Sequence, residues 1–423
     1  MRYTKLTLIT SFALFSLFFG AGNIILPPFL GFTTGSNWMW VAVGFMITAV
    51  IIPILGIRAH ARLQGSMLDF ANRISPLFSL VFCSLVYLIA VCLPSPRTAS
   101  LTHEMAVAPY FEVSSLLTST VYFTGVFFFV YFRSKILDNI GKFLTPFILT
   151  LLCLVILMVV FGDLSLANSI AGNATVTEGI LEGYQTFDAM GAVVVGAVII
   201  ISLNYKTDLA YRDRKKIITR AGIMAGLGLC LIYCGLIYSG ALLSGIYEQG
   251  LDRSGILNNM IFYALGEKGH FFLSVLIALA CFSTTVGIIT GASDFVKGIS
   301  RESDLAYRAA ALLGCIIGIL VGQFKVDLII DLAIPALLFI YPLIIIFIIL
   351  HNLPENLVRP DTFKWVTYTV ILFCVPDVLN ALGYSWASEQ LTAITPWKTT
   401  EFSWAAPALL VFLLFQIKKP AKT

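Results

Sequence analysis

Phe18-Phe19-Gly20-Ala21-Gly22-Asn23-Ile24-Ile25-Leu26-Pro27-Pro28 lies inside an uncharged stretch that runs from Leu6 to Ile57. Two glycines, an asparagine and paired prolines in one apolar segment exceed what packing requires. Glycine weakens a helix, and each proline removes a backbone donor and clashes with the preceding turn. At membrane depth, irregular backbone survives only where protein covers it or a cavity adjoins it. Two readings stand side by side. One is a close helix crossing at Gly20 and Gly22 with a proline kink. The other is a discontinuous helix whose second half begins near Asn23 and turns N–H groups and a positive dipole end toward an anion. Transporters hold substrate carboxylates in the second way.

The rest of the chain decides what surrounds this segment. Of 423 residues, 58% are hydrophobic and 12% are charged, whereas a soluble domain carries about 25% charged residues. The 33 Phe outnumber the 23 Asp plus Glu, which excludes a soluble multidomain enzyme and a disordered chain. The net charge of +4 is scattered over short clusters, so no nucleic acid or other polyanion is implied as a partner. An integral membrane protein remains, with the lipid bilayer as its solvent.

A crossing helix needs about 20 apolar residues. The stretch 6–57 holds two, divided by the polar Thr33-Thr34-Gly35-Ser36-Asn37. Others run over 74–96, 113–132, 143–162, 189–205, 221–247, 271–293, 309–324, 332–350, 365–376 and 402–416. The eleventh reaches full length only by continuing past Asp377 to about Gly383. Twelve spans place 22 of the 27 Lys and Arg in alternate loops on one side, which marks that side and both termini as cytoplasmic. Arg97, Arg253, Lys268, Lys325 and Lys398 fall outside. No cleavable signal is expected, because the apolar run continues far beyond Phe18. All eight cysteines lie within spans without metal-ligand spacing, and read as small packing groups.

Three further segments carry candidate chemistry. In the sixth span, Phe187-Asp188-Ala189-Met190-Gly191 leads to Gly196, and its glycines bracket β-branched residues that are poor helix formers. Glycines here also serve packing, so the reading as a second break rests on position. The first and sixth of ten helices correspond if the chain is two five-helix repeats, the second inverted. In the eighth span, Ala280-Cys281-Phe282-Ser283-Thr284-Thr285 offers hydroxyls that serve either as helix–helix contacts or as oxygen ligands for Na⁺. A break in the first span would add carbonyls from Ser16 and Phe19, which share a face. After the third span, Arg97 and Glu104 stand two helical turns apart, either as a pair or in a solvated outer vestibule. Asp188, Asp331 and Asp377 fall near outer span ends and read as interfacial. His60, His103, His270 and His351 sit in or beside loops, against a histidine proton relay or haem. No Walker loop, zinc-protease helix or nucleophile elbow occurs, so an enzyme is not expected.

These residues carry a resemblance. Phe19 to Pro28, Pro96-Arg97-Thr98-Ala99 and Asp188 to Ala192 resemble the branched-chain amino acid:cation symporter family of bacteria, over essentially the whole chain. The resemblance implies the leucine-transporter fold. That is an all-α membrane protein of twelve transmembrane helices, a 5+5 inverted repeat (1–162 and 163–350) with two C-terminal helices (351–423), and broken helices 1 and 6. It implies import of leucine, isoleucine and valine across the bacterial cytoplasmic membrane, with no cofactor other than a coupling ion. Backbone around Gly20, Ala21, Gly22 and Asn23 would hold the substrate carboxylate, and carbonyls between Phe187, Asp188 and Gly191 the ammonium. The Na⁺ site would comprise Ser16, Phe19, Ala280, Ser283 and Thr284. Sodium and proton coupling both occur in such a family, and another apolar or purine-like substrate is the alternative cargo; oligomeric state is left open.

Overall fold

A backbone in lipid must satisfy its own polar groups, and the chain does so with helices. The computed structural model describes residues 2–64, 67–132, 136–162, 164, 166, 175–194, 196, 210–248, 250–386 and 402–417, and no strand occurs among them. The order begins with α1 (Arg2–Phe18), α2 (Ala21–Thr34), α3 (Trp38–Met46) and α4 (Ile52–Leu63), the last two joined by a π-helical turn at Ile47–Ile51. Next come α5 (Met67–Ala71), α6 (Pro76–Cys92), α7 (Pro94–Thr102), α8 (Ser115–Tyr131), α9 (Ile136–Val160) and α10 (Val176–Tyr184). A short α11 covers 188–194. It is followed by α12 (Tyr211–Leu243), α13 (Arg253–Ile299), α14 (Asp304–Gly322), α15 (Val326–Asn352), α16 (Pro360–Ala381) and α17 (Ala405–Ile417).

Among the described residues, seven helical stretches are long and apolar enough to cross a membrane, and four shorter apolar helices accompany them. Leu77, Val121, Leu231 and Leu372 are each at least 66% exposed. In water such a band would be an aggregation surface, so its solvent is lipid. The eleventh predicted span does continue past Asp377, as α16. One helix is not anticipated, and one span begins elsewhere than expected. Gly266 (φ 64, ψ −172) divides α13, so a helix over 253–265 precedes the predicted eighth span. The sixth span does not begin at Ala189, because α10 leads into it. The apolar count missed α10 because it carries Glu178 and Glu182, and it packs on the π-helical turn through Thr48 Oγ1, which donates to Ile180 O at 2.9 Å. The remainder of that predicted span, 195 and 197–205, lies outside the described residues.

Glycine lets α2 and α12 meet backbone to backbone. A Cβ on Gly31 would lie 2.7 Å from the Ile237 carbonyl carbon, and one on Gly240 would lie 2.8 Å from Pro28 Cα. Real atoms do not approach so closely, so both positions exclude any side chain. This reciprocal contact seats the second half of the first span against the seventh. His60 and His351 lie in the last turns of α4 and α15, beside loops as expected. Both are buried and contact Phe70, His60 stacked on its ring at 4.7 Å between centroids and His351 tilted against it at 4.6 Å.

Candidate functional site

Three helix breaks converge in the middle of the molecule. The first is the discontinuity quoted at the outset: α1 ends at Phe18, Phe19 and Gly20 are non-helical, and α2 starts at Ala21, two residues before the expected Asn23. Gly20 caps α2 in extended conformation (φ −111, ψ −169) without a side-chain bond. A Cβ there would meet Thr284 Cγ2 at an ordinary 3.7 Å, so Gly20 is not a close crossing. Helix starts leave N–H groups without intrahelical acceptors. Asn23 N donates to Gly20 O at 3.2 Å, which leaves the N–H groups of Ala21 and Gly22 as the helix-start donors without an intrahelical acceptor.

The second break lies at Gln185–Phe187, between α10 and α11. Phe187 has φ 62, a left-handed conformation that costs an L-residue roughly 1–2 kcal/mol. Thr186 Oγ1 donates to Gly183 O at 2.8 Å and accepts from Asp188 N at 3.2 Å, closing one helix and capping the next. Phe187 O accepts from Gly191 N at 2.8 Å. The carbonyl ladder expected between Phe187 and Gly191 is therefore already helical, and the irregular backbone sits just before it. A Cβ on Gly191 would lie 3.9 Å from the Phe18 ring, which sets the two breaks side by side.

Asp188 is not interfacial. It is 3% exposed, and its carboxylate accepts from Asn23 Nδ2 at 2.9 and 2.8 Å and from Tyr233 OH at 3.0 Å. Asn23 Nδ2 also contacts Tyr233 OH. One carboxylate thus ties α2, α11 and α12 together at the break. Its depth was hidden because the apolar run begins just after it, making it look like a span end. Asp377, in contrast, accepts from Ser403 Oγ at 2.9 Å, between α16 and the start of the last helix.

The third break, at Leu93, separates α6 from α7. Pro94 opens α7, where its missing N–H costs nothing, and Pro94 through Leu101 are all buried. Arg97 neither faces a solvated vestibule nor pairs with Glu104. It is 2% exposed. Its Nη1 donates to Gln185 O at 2.8 Å, and its Cζ lies 5.1 Å from the centroid of the Phe187 ring. Glu104 instead accepts from Val326 N at 2.9 Å. Thr98, bonded to Thr285 Oγ1 and accepting from Tyr122 OH at 3.0 Å, holds α7 on α13 and α8. A cavity of 430 Å³ bounded by Ser100, His103, Glu104, Asp252, Asn258 and Lys325 reaches within one turn of Arg97.

The proposed cation ligands are partly assembled. Ser283 Oγ and Thr284 Oγ1 both donate to Ala280 O, at 3.0 and 3.1 Å, so three oxygens converge on one turn of α13. Thr284 abuts Gly20, and Phe19 lies within the two-residue break. Ser16 lies one turn earlier on α1. A hydroxyl that donates to a carbonyl keeps lone pairs for a cation.

Known proteins place this architecture. A family model described as branched-chain amino acid transport protein matches residues 3–422. The branched-chain amino acid permease BraB of Bacillus subtilis is 31% identical over 419 residues, 96% of this chain and 94% of that one. The permease BrnQ of Escherichia coli K12 is 29% identical over 95% and 93%. Among solved structures, the inward-facing conformation of Mhp1 superposes with a TM-score of 0.62 at 15% identity, over 96% of this chain and 89% of that one. A Na⁺-coupled sialic acid symporter in its outward-open state also gives 0.62, at 12% identity, over 98% and 91%. Those two likenesses show that the chain shares their fold. With a family model spanning nearly every residue and relatives matched along almost their whole length, this multi-pass membrane protein belongs to the branched-chain amino acid transport protein family.

Proposed function

We propose that the protein imports leucine, isoleucine and valine across the bacterial cytoplasmic membrane by cation symport, with both termini cytoplasmic and twelve spans arranged as an inverted 5+5 repeat plus two. The single observation that supports it most is the juxtaposition of the breaks at Phe19–Gly20 and Gln185–Phe187. A free helix start and a buried carboxylate stand on either side of that point. A zwitterion placed there meets the Ala21 and Gly22 N–H groups with its carboxylate and Asp188 with its ammonium. Its side chain is left to apolar walls. Each buried CH₂ contributes roughly 0.8 kcal/mol, so alanine should bind about two orders of magnitude more weakly than leucine.

Na⁺ is the coupling ion this reading favours, held by Ser283, Thr284 and the carbonyls of Ala280, Ser16 and Phe19. These neutral oxygens replace hydration without fixing a charge in the membrane. The test is uptake of radiolabelled leucine into proteoliposomes with sodium, proton and voltage gradients imposed separately. Accumulation driven by inward Na⁺ supports the reading. Accumulation driven only by protons would replace the ion and keep the cargo, and failure to accumulate leucine under any gradient would overturn the cargo.

A further inference from the structure

We infer that Arg97 is the side-chain receptor for the substrate carboxylate, presenting Nη2 at the start of α2 with its Nε–H still to be satisfied. The inference rests on the transport reading above and deepens it by naming the group that recognises one end of the zwitterion. A guanidinium in a membrane protein's interior demands a counter-charge or a full set of acceptors. Arg97 has neither. It is 2% exposed, forms no ion pair with any described carboxylate, and its one hydrogen bond among the described residues runs from Nη1 to Gln185 O. Its Nε is buried without a partner among the described residues.

The guanidinium has three edges, and only one matters here. Nε–H and Nη2 point the same way, and that is the edge with which arginine grips a carboxylate through two parallel bonds. Gln185 O takes up Nη1 and itself lies close to Gly22, 3.2 Å from where a Cβ would stand. Nη2 lies directly over Gly22, and a Cβ on Gly22 would come within 3.1 Å of Arg97 Cζ. The Nη2 end of the guanidinium thus reaches the first turn of α2, where the N–H groups of Ala21 and Gly22 also lack intrahelical acceptors. A side-chain cation and a helix N-terminus converge on one place, and a planar carboxylate satisfies both. Gly22 has no side chain because Arg97 fills that space.

The assignment explains why a carrier of apolar amino acids keeps a buried arginine. The Phe187 ring, which the guanidinium overlies, and the Gln185 carbonyl hold it in place without neutralising it. Both belong to the second break, so the carboxylate receptor is oriented by the same irregular segment that carries Asp188.

Discrimination against a carboxyl-blocked analogue isolates this role. In proteoliposomes in chloride-free methanesulfonate buffer, where no halide stands in for the carboxylate, L-leucinamide should compete with labelled leucine about 100-fold less well than leucine itself. In Arg97→Gln that ratio should fall to within about threefold. Rejection of 4-methylpentanoate, which keeps the carboxylate and lacks the amine, should persist. Arg97→Lys, a point charge without the planar fork, should give an intermediate ratio. Each ratio is internal to one preparation, so loss of folded protein does not alter it. A wild-type leucine-to-leucinamide ratio retained in Arg97→Gln would overturn the assignment while leaving the transport reading intact. Wild-type protein that takes up no leucine would overturn that reading, and the inference with it. Should neither variant fold, wild-type protein gives the answer: leucine, and not leucinamide, should protect Arg97 from phenylglyoxal, and equal protection would overturn the inference.

Discussion

Asp188, Asn23 and Tyr233 show what single residues do at this site. The carboxylate is buried at the second break and draws its donors from α2 and α12. A hydrogen bond to a charged group contributes about 1.5–3 kcal/mol. Asp188→Asn should therefore lower the initial rate of leucine uptake at least about tenfold. Tyr233→Phe, which removes one donor and leaves Asn23, should cost about threefold to tenfold. Initial rates in proteoliposomes, normalised to reconstituted protein, check both, and a larger loss in Tyr233→Phe would contradict the ranking. Asn23 and Asp188 stood out in the sequence by type and setting. Tyr233 did not: a tyrosine in an apolar span has no local signal, and its partner is 45 residues away. Arg97 was visible as a lone basic residue, but its charge suggested solvent because nothing nearby in sequence showed what would cover it.

Among the elements, the first and sixth spans are each two helices, and the sequence pointed to both breaks with unequal accuracy. Glycines and prolines between Gly20 and Pro28 disclosed the first to within a few residues, since they act on the local backbone. The second was displaced by a few residues, because it depends on Phe187 at φ 62, a conformation that no phenylalanine advertises. The α2–α12 crossing depends on glycine for another reason, direct backbone contact at Gly31 and Gly240. Gly240→Val should lower stability by about 1–3 kcal/mol through overpacking. Gly287→Ala in α13, where an added Cβ meets nothing within 4 Å, should leave the melting temperature unchanged or slightly raised. Thermal unfolding of the two variants in detergent compares them, and equal shifts would refute the crossing argument.

At the scale of the whole molecule, the proposed symport requires the site to couple two gradients. The Ser283, Thr284 and Ala280 oxygens sit on α13, next to the first break at Gly20, so a cation there would stabilise the geometry that receives the substrate. Thr284→Ala and Ser283→Ala should each raise the half-saturating Na⁺ concentration about tenfold or more, with a smaller change in maximal leucine uptake at saturating Na⁺. Titration of uptake against Na⁺ measures this, and unchanged sodium dependence in both variants would remove the ion from that position. Toward one end of the bundle, Arg253 joins Glu182 at 3.2 Å, Asp327 at 2.8 Å and the Phe29 ring at 4.4 Å. These contacts draw α2, α10, α13 and α15 together. The opening shortage of charge takes on a different meaning here. It does not leave the centre free of ions, for Arg97 and Asp188 both lie there.

Class and first break were determined by sequence alone, because both depend on local composition: apolar length sets the solvent, and glycine with proline interrupts the helix that contains them. Tertiary structure alone decided the depth of Asp188, the direction of Arg97 and the participation of Tyr233. Burial and hydrogen-bond partnership are properties of what other helices bring alongside. The bond between Asn23 and Asp188 joins residues 165 positions apart, a distance that only folding closes.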